Sequence, residues 1–347
     1  MRPGRLRRWL LRGLLVAGST VAAVAVAEAL VVHRNLGGVL YYAETHRYIQ
    51  EAIRLVPEAD RPDGRMFENR PAVDLDLHGF AYRTDGAGLR VAEATAAPPP
   101  AKDPDVPRVL FLGDSVTLGW GVDDADTWIR EAGRRLDAAG RPAELLNAGH
   151  LQYNTIQEVD WLRAHGPALA PDLVVLTFVV NDLDDAYGTY QALKAGAAAP
   201  ADAPDLGARL AGGLRDLTPG LHALARLAGE RAVAIDEVAA LAPVDPTGFD
   251  AYAERAALTR LALDVLLAEC AALGAELLLL DHSQPRLPVA EAWCAERGVA
   301  YRDLRFTAEE WVQDVRVSLA DAHANALGNR YLADKATPAL LELLGAE

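Results

Sequence analysis

The sequence predicts a doubly wound α/β fold with a mostly parallel sheet, and three observations carry that reading. From Arg108 onward, short apolar strands alternate with stretches of helical periodicity. Leu173–Val180 is a continuous apolar run, the pattern of a strand buried on both faces of a parallel sheet. Three strand ends carry polar residues out of keeping with the apolar runs before them: Gly113-Asp114-Ser115, Asn147-Ala148-Gly149 and Asn181-Asp182. Sites in open parallel sheets lie at such carboxyl ends.

The chain opens with five arginines in its first twelve residues, followed by an apolar run from Gly13 to Val32 broken only by Glu28. That length suffices to cross a bilayer as a helix. Arginines in front hold the N-terminus in the cytoplasm and place everything after His33 outside. Residues 1–34 therefore read as a signal anchor, giving a single-pass protein of the cell membrane whose main domain is extracytoplasmic. Ala25-Val26-Ala27 is also an A-x-A cleavage pattern, so secretion after signal-peptide removal is the alternative.

Residues 35–93 form a small membrane-proximal region. Leu40–Leu55 has an amphipathic helical pattern, Val73–Leu77 alternates apolar and acidic residues as a strand does, and Gly79–Arg90 reads as a further strand and glycine turn. Residues 94–107 are an Ala/Pro-rich linker that includes Pro98-Pro99-Pro100.

The main α/β domain spans 108–347. Val109–Leu112 is its first strand, followed by a helix over Asp126–Ala139, a strand at Glu144–Leu146 and a helix over Thr155–His165. The apolar strand at Leu173–Val180 comes next. A helical insertion, 183–250, then leaves the strand that carries Asn181, with helical stretches near Leu206–Leu217 and Leu221–Leu241. It is either a lid over the site or a helical excursion packed on the sheet edge. A helix at Ala251–Leu273, a strand at Ala275–Leu280, a helix at Val289–Glu296, a strand at Val299–Tyr301 and a closing helix at Ala326–Leu344 complete the alternation.

Composition narrows the function. The 51% hydrophobic content supports a sizeable core. Residues 1–34 hold six of the 34 basic residues and one of the 49 acidic ones; the remainder carries 28 and 48, a net of −20. Such a surface repels phosphate backbones, which argues against a nucleic-acid partner. The two cysteines, Cys270 and Cys294, form no CxxC pair and read as buried hydrophobes. Asp182, Asp184 and Asp185 lack a spaced glutamate or histidine, so they read as a solvated turn and not as a metal site. There is no G-x-S-x-G elbow, dinucleotide fingerprint or P-loop lysine, and no cofactor is required.

Converging at one sheet edge, the polar strand ends and a fourth cluster, Asp321-Ala322-His323, contain the parts of acyl transfer. Ser115 is the nucleophile and His323 its base. Asp321 orients the imidazole. The backbone N–H groups of Ser115 and Gly149 and the side-chain amide of Asn181 supply an oxyanion hole. The start of the helix after Ser115 favours developing negative charge. Gly113, Asp114 and Asp182 are supporting residues. His282 is a reserve base, and His150 reads as a pocket-wall residue.

These residues resemble the SGNH hydrolases, the GDSL-type esterase family. Ser115, Gly149, Asn181 and His323 match its four named residues in chain order, with Gly113-Asp114-Ser115-Val116-Thr117 as the first block and Asp321-Ala322-His323-Ala324-Asn325 as the last. Arg83–Arg90 resembles a segment found before the catalytic domain in membrane-anchored members. The resemblance implies a flavodoxin-like three-layer α/β/α fold and ester hydrolysis through a serine acyl-enzyme. Two positions depart from the pattern. Val179 stands where the third block often has glycine, and Ala320 stands where the acid often lies, which leaves Asp321 as the available partner.

The expected substrate is an O-acyl ester: a carbohydrate O-acetyl group, a lipid or a small ester. Two alternatives share the sequence features: an O-acyltransferase modifying a cell-surface glycan, and a non-catalytic glycan-binding envelope protein.

Overall fold

The computed structural model describes residues 3–60, 64–183, 218–234, 252–284 and 286–345. Its contacts divide the chain into two compact units. The larger comprises 45–199, 236–317 and 322–347; the smaller comprises 1–44, 200–235 and 318–321.

The larger unit is built on five parallel strands. These are β5 (Arg108–Gly113), β6 (Glu144–Gly149), β7 (Leu173–Phe178), β8 (Glu276–Asp281) and β9 (Ala300–Asp303), in spatial order β6-β5-β7-β8-β9. This is the 2-1-3-4-5 order of the flavodoxin-like doubly wound sheet, whose switch point lies between its first and third strands, here β5 and β7. Strand alternation sorts side chains to the two faces. Val109 and Phe111 of β5, Val175 of β7 and Leu278 and Leu280 of β8 share one buried cluster. Into it pack Trp128 and Ile129 of helix α4 (Trp128–Ala138) and Leu332 and Leu340 of helix α10 (Ala326–Gly345). Leu110, Leu112, Val174 and Leu176 alternate with these and are equally buried. Helices α5 (Thr155–Leu169) and α7 (Tyr252–Leu273) pack against each other, α5 also touching β5 and α7 touching β8. Cys270 and Cys294 are free buried thiols.

Local signals account for the boundaries. Thr127 caps α4, and Asn154 opens α5 through a reciprocal capping box with Gln157. Pro167 is accommodated inside α5, which runs to Leu169, past the expected end at His165.

Ahead of the sheet, helix α2 (Tyr41–Ala52) gives way to strand β1 (Ile53–Leu55), which pairs antiparallel with β2 (Phe67–Asn69). Leu40–Leu55 is therefore only partly helical. β2 has no clear periodicity in the sequence, because its three residues are all buried. Strands β3 (Asp74–Leu77) and β4 (Phe80–Arg83) pair antiparallel as a hairpin. In the glycine turn that follows, the Asp85 side chain accepts from the backbone N–H groups of Ala87 and Leu89, at 2.8 and 3.0 Å. Residue 90 then bridges to the edge of the main sheet, Arg90 N–H donating to the Asn147 carbonyl at 2.9 Å. The Ala/Pro-rich stretch 94–107 is pinned where it passes the unit: the Gly86 N–H donates to the Ala97 carbonyl at 2.8 Å, and Arg108 Nη2 to the Pro100 carbonyl at 2.7 Å.

In the smaller unit, helix α1 (Pro3–His33) contains a span, Arg7–His33, long and apolar enough to cross a membrane. Glu28, the one acid in that run, accepts from the backbone N–H groups of Gly220 and Leu221, at 2.6 and 2.8 Å. These open helix α6 (Pro219–Ala234). Within the expected insertion, the stretch near Leu206–Leu217 lies outside the described residues, and that at Leu221–Leu241 is described to Ala234.

Arg90 is 1% exposed, and its guanidinium donates to the carbonyls of Leu118, Gly119 and Val122 in the loop after Ser115. Arg90→Met leaves those buried acceptors unpaired. The expected loss is about 3 kcal/mol of unfolding free energy, read by urea denaturation with unchanged cooperativity; a loss within experimental error refutes the bracing role.

Candidate active site

β5 ends in Gly113, whose φ of 150° and crowded surroundings demand glycine. A Cβ there would lie 2.2 Å from Thr117 Oγ1 and 3.2 Å from Thr177 Cβ. The chain then turns into α3 (Ser115–Leu118), a single helical turn that ends at Gly119. Asp114 caps it, its Oδ1 accepting from Val116 N–H at 2.9 Å. Four residues carry little macrodipole, so the expected aid from a helix start reduces to individual N–H groups.

Ser115 Oγ lies 2.8 Å from His323 Nε2 and 3.1 Å from Asp114 Oδ2. These two residues, 208 apart in sequence, meet as a nucleophile and base require. The His323 loop is held from several sides. Val317 N–H donates to the His323 carbonyl at 2.8 Å, and Asn325 N–H to the Val315 carbonyl at 2.7 Å. Asn325 Oδ1 accepts from Leu327 and Gly328, opening α10. Asn329 Oδ1 accepts from Trp128 N–H at 2.9 Å, tying α10 to α4. Asp321 is buried in the turn Ser318–Asp321, its N–H donating to Ser318 Oγ at 3.1 Å.

Asn181 follows β7, and its Nδ2 donates to Asp114 Oδ2 at 3.1 Å, leaving its second N–H for a ligand. Behind it, Asp182 accepts from Val179 N–H at 2.7 Å and from Thr155 Oγ at 2.6 Å, which fixes the turn.

Gly149 has a different role from the one its sequence position suggests. Its N–H donates to Asn147 Oδ1 at 2.9 Å, and Asn147 Nδ2 donates to the Thr117 carbonyl at 2.9 Å. A Cβ on Gly149 would stand 2.1 Å from Leu118 N. This glycine makes room for the backbone of α3, and its donor is already engaged. The residue of this loop that borders the cleft is Gln152, which sits at φ 66°, a conformation that costs a non-glycine residue strain. The alternation of apolar and polar residues does not reveal it; only the turn's path does.

His150 is buried and stacked on Tyr153 at 4.2 Å, its Nδ1 donating to the Ala148 carbonyl; it packs inward and is no pocket wall. Burial pushes its pKa down to about 4. His282 borders the cleft but its Nδ1 is engaged by the Leu304 carbonyl at 3.1 Å, and it is His323 that meets Ser115. The cleft has a volume of about 360 Å³ and includes Ser115, Asn181 and His323 in its wall. Among the described residues, no cluster of three His, Cys, Asp or Glu side chains is spaced to hold a metal ion.

No protein-family model and no curated protein matches the chain. Solved structures similar to it include TesA, at 17% identity and a TM-score of 0.42, over 68% of this chain and 99% of that one. Another is the psychrotrophic esterase EstA from a Pseudoalteromonas species, at 13% identity and 0.44, over 69% and 99%. A third is a lipolytic protein of the G-D-S-L family from Desulfitobacterium hafniense, at 11% identity and 0.38, over 67% and 98%.

Beneath the site three carboxyl groups approach one another. Glu158 is 1% exposed, and neither of its oxygens has a hydrogen-bond partner among the described residues. Burial, then the neighbouring carboxylates of Asp182 and Asp114, raise its pKa well above the usual range. Burial likewise raises that of Asp182, with Asp114 adding to it. A carboxyl whose folded-state pKa is raised keeps its proton in the fold while the unfolded chain releases it. Stability therefore falls as pH rises from about 4.5 through the raised folded value. Glu158→Gln removes this contribution. Between pH 5 and 9 its urea midpoint is expected to fall less steeply than that of the parent; parallel slopes refute the assignment.

Proposed function

We propose that the chain is an ester hydrolase that works through a Ser115 acyl-enzyme and is held at the membrane by its N-terminal helix. The 2.8 Å contact between Ser115 Oγ and His323 Nε2, at the switch point of a parallel sheet, carries the reading. His323 Nε2 takes the Ser115 proton as Oγ bonds to the ester carbon, and the carbonyl π electrons move to oxygen. Asp321, two residues before His323, takes the role of fixing the tautomer. Collapse of the intermediate breaks the bond to the alkoxy oxygen, and His323 returns the proton to the leaving alcohol. Water, deprotonated by the same imidazole, then bonds to the acyl carbon; the bond to Ser115 Oγ breaks, Oγ recovers the proton from His323, and the acid leaves.

Three donors serve the oxyanion: Ser115 N–H, the second N–H of Asn181 Nδ2, and Gln152 N–H in place of Gly149. Neither the Ser115 nor the Gln152 N–H has an acceptor among the described residues. Val179, where the family's glycine often stands, borders the cleft beside Asn181.

The Glu28 contact supports retention of the anchor. Its carboxylate caps α6, so the charge interrupting the apolar run has partners inside the protein. Cleavage after Ala27 would leave Glu28 at the new N-terminus.

Ser115→Ala is expected to lower turnover of p-nitrophenyl acetate by the full chain in detergent at least about 10³-fold. Asn181→Ala should lower kcat about 10²-fold or more with little change in KM. Unchanged turnover in Ser115→Ala rules out the nucleophile. Expressed from its own first codon, the chain is expected to stay in the membrane pellet after an alkaline carbonate wash. Its intact mass should include the residues before Glu28; a soluble product beginning at Glu28 rules out the anchor.

A further inference from the structure

Three residues ahead of the main sheet reach the loop after β6. Asn69, which ends β2, is 3% exposed. Its Nδ2 donates to the Gly149 carbonyl at 3.0 Å, and its Oδ1 accepts from the Tyr48 hydroxyl of α2 at 2.7 Å. A carbonyl can only accept, so the amide nitrogen faces Gly149 and the amide oxygen faces Tyr48. Leu151 adds a backbone hydrogen bond to the same hydroxyl. Earlier on β2, the Phe67 carbonyl accepts from the Tyr153 hydroxyl, and the Phe67 and Tyr153 rings meet edge-on at 5.2 Å. These contacts fall on residues 149, 151 and 153 and flank Gln152.

Residues 150–153 form a turn, closed by Tyr153 N–H donating to the His150 carbonyl at 3.2 Å. Its third residue, Gln152, has φ 66°. That combination marks a type II turn, which favours glycine at this place. The commoner type I turn has a negative φ there, and the peptide between its central residues is flipped. Such a flip carries the Gln152 N–H to the other side of the turn. A glutamine stays at positive φ only while its surroundings over-determine the conformation. The Asn69–Tyr48 pair, with Phe67 beside it, supplies that constraint from outside the loop.

We propose, resting on the esterase reading and on Gln152 N–H as an oxyanion donor, that Asn69 is a positioning residue for the reaction. Oriented by Tyr48, it holds the turn after Gly149 in its type II form and so fixes the direction of the Gln152 N–H. When Ser115 Oγ bonds to the ester carbon, His323 takes the Ser115 proton and the carbonyl π electrons move to oxygen. The donor for that oxygen is then already in place and needs no reorientation. The segment that carries α2 and β2 is thus a working part of the active site and not a spacer ahead of it.

The test measures kcat and KM for p-nitrophenyl acetate with the full chain in detergent, alongside urea midpoints. Asn69→Leu removes the amide and nearly keeps the size. It is expected to lower kcat about 10- to 100-fold while KM changes less than about 3-fold. Gln152→Gly keeps the backbone N–H and accepts positive φ without strain. In that background Asn69→Leu should cost less than about 3-fold in kcat, because the turn no longer needs holding. If Asn69→Leu fails to fold, Tyr48→Phe, which leaves the Asn69 amide unoriented, should show the same pattern with smaller losses; an unchanged kcat there overturns the proposal. A lowered urea midpoint in Asn69→Leu with kcat unchanged makes the residue structural only and likewise overturns it. An equal kcat loss in both backgrounds overturns the route through Gln152 and leaves the esterase reading intact. Failure of the parent chain to hydrolyse p-nitrophenyl acetate overturns the esterase reading, and the proposal with it.

Discussion

Gly113 stands between Gly149 on β6 and Thr177 on β7, in parallel register with both. Everything chemical in the larger unit depends on that alignment. It ends β5 and β7 at one edge and opens the crevice between them, and it brings the turn after β5 so close to Gly149 that no side chain fits there. The chain can then reverse within two residues and start α3 at Ser115. A larger residue at Gly113 or Gly149 would push α3 off the sheet edge and carry the hydroxyl away from His323.

Around this turn several backbone carbonyls are held by residues distant in sequence. Arg90 holds the carbonyls that follow α3, Asn147 holds Thr117 from the neighbouring strand, and Trp128 N–H and Nε1 answer Asn329 and Val116. The cost falls on carboxyl groups. Asp114, Asp182 and Glu158 are buried close together, and burial raises the pKa of each. The turn that carries Ser115 is thereby built over a patch of the interior that favours protonated acids, a local conflict of the kind found near functional sites.

Much of the fold was legible in the sequence because the sheet is parallel and buried. Apolar runs such as Leu173–Phe178 have no solvent face to obscure them, and polar strand ends mark the edge where sites form. Ser115 and His323 stood out as candidates for the same reason: each interrupts its pattern at a predictable place. The short strand β2 was not, since three buried residues between loops carry no period. Gln152 was not legible either, because nothing about a glutamine in a polar loop announces φ 66°.

By itself, the sequence determined the alternation of strands and helices and the apolar N-terminal helix, and it singled out Ser115 and His323, which the fold brings within 2.8 Å, because these rest on local periodicity and residue chemistry. Tertiary structure decided which backbone donors are free and which are engaged, turning Gly149 from donor into spacer and bringing Gln152 to the cleft. It also decided that His282 is held through Nδ1 by the Leu304 carbonyl, and that Glu28 has a helix to cap. Hydrogen-bond donors and acceptors are allotted by distance and direction between segments far apart in the chain, and no window of sequence contains that information.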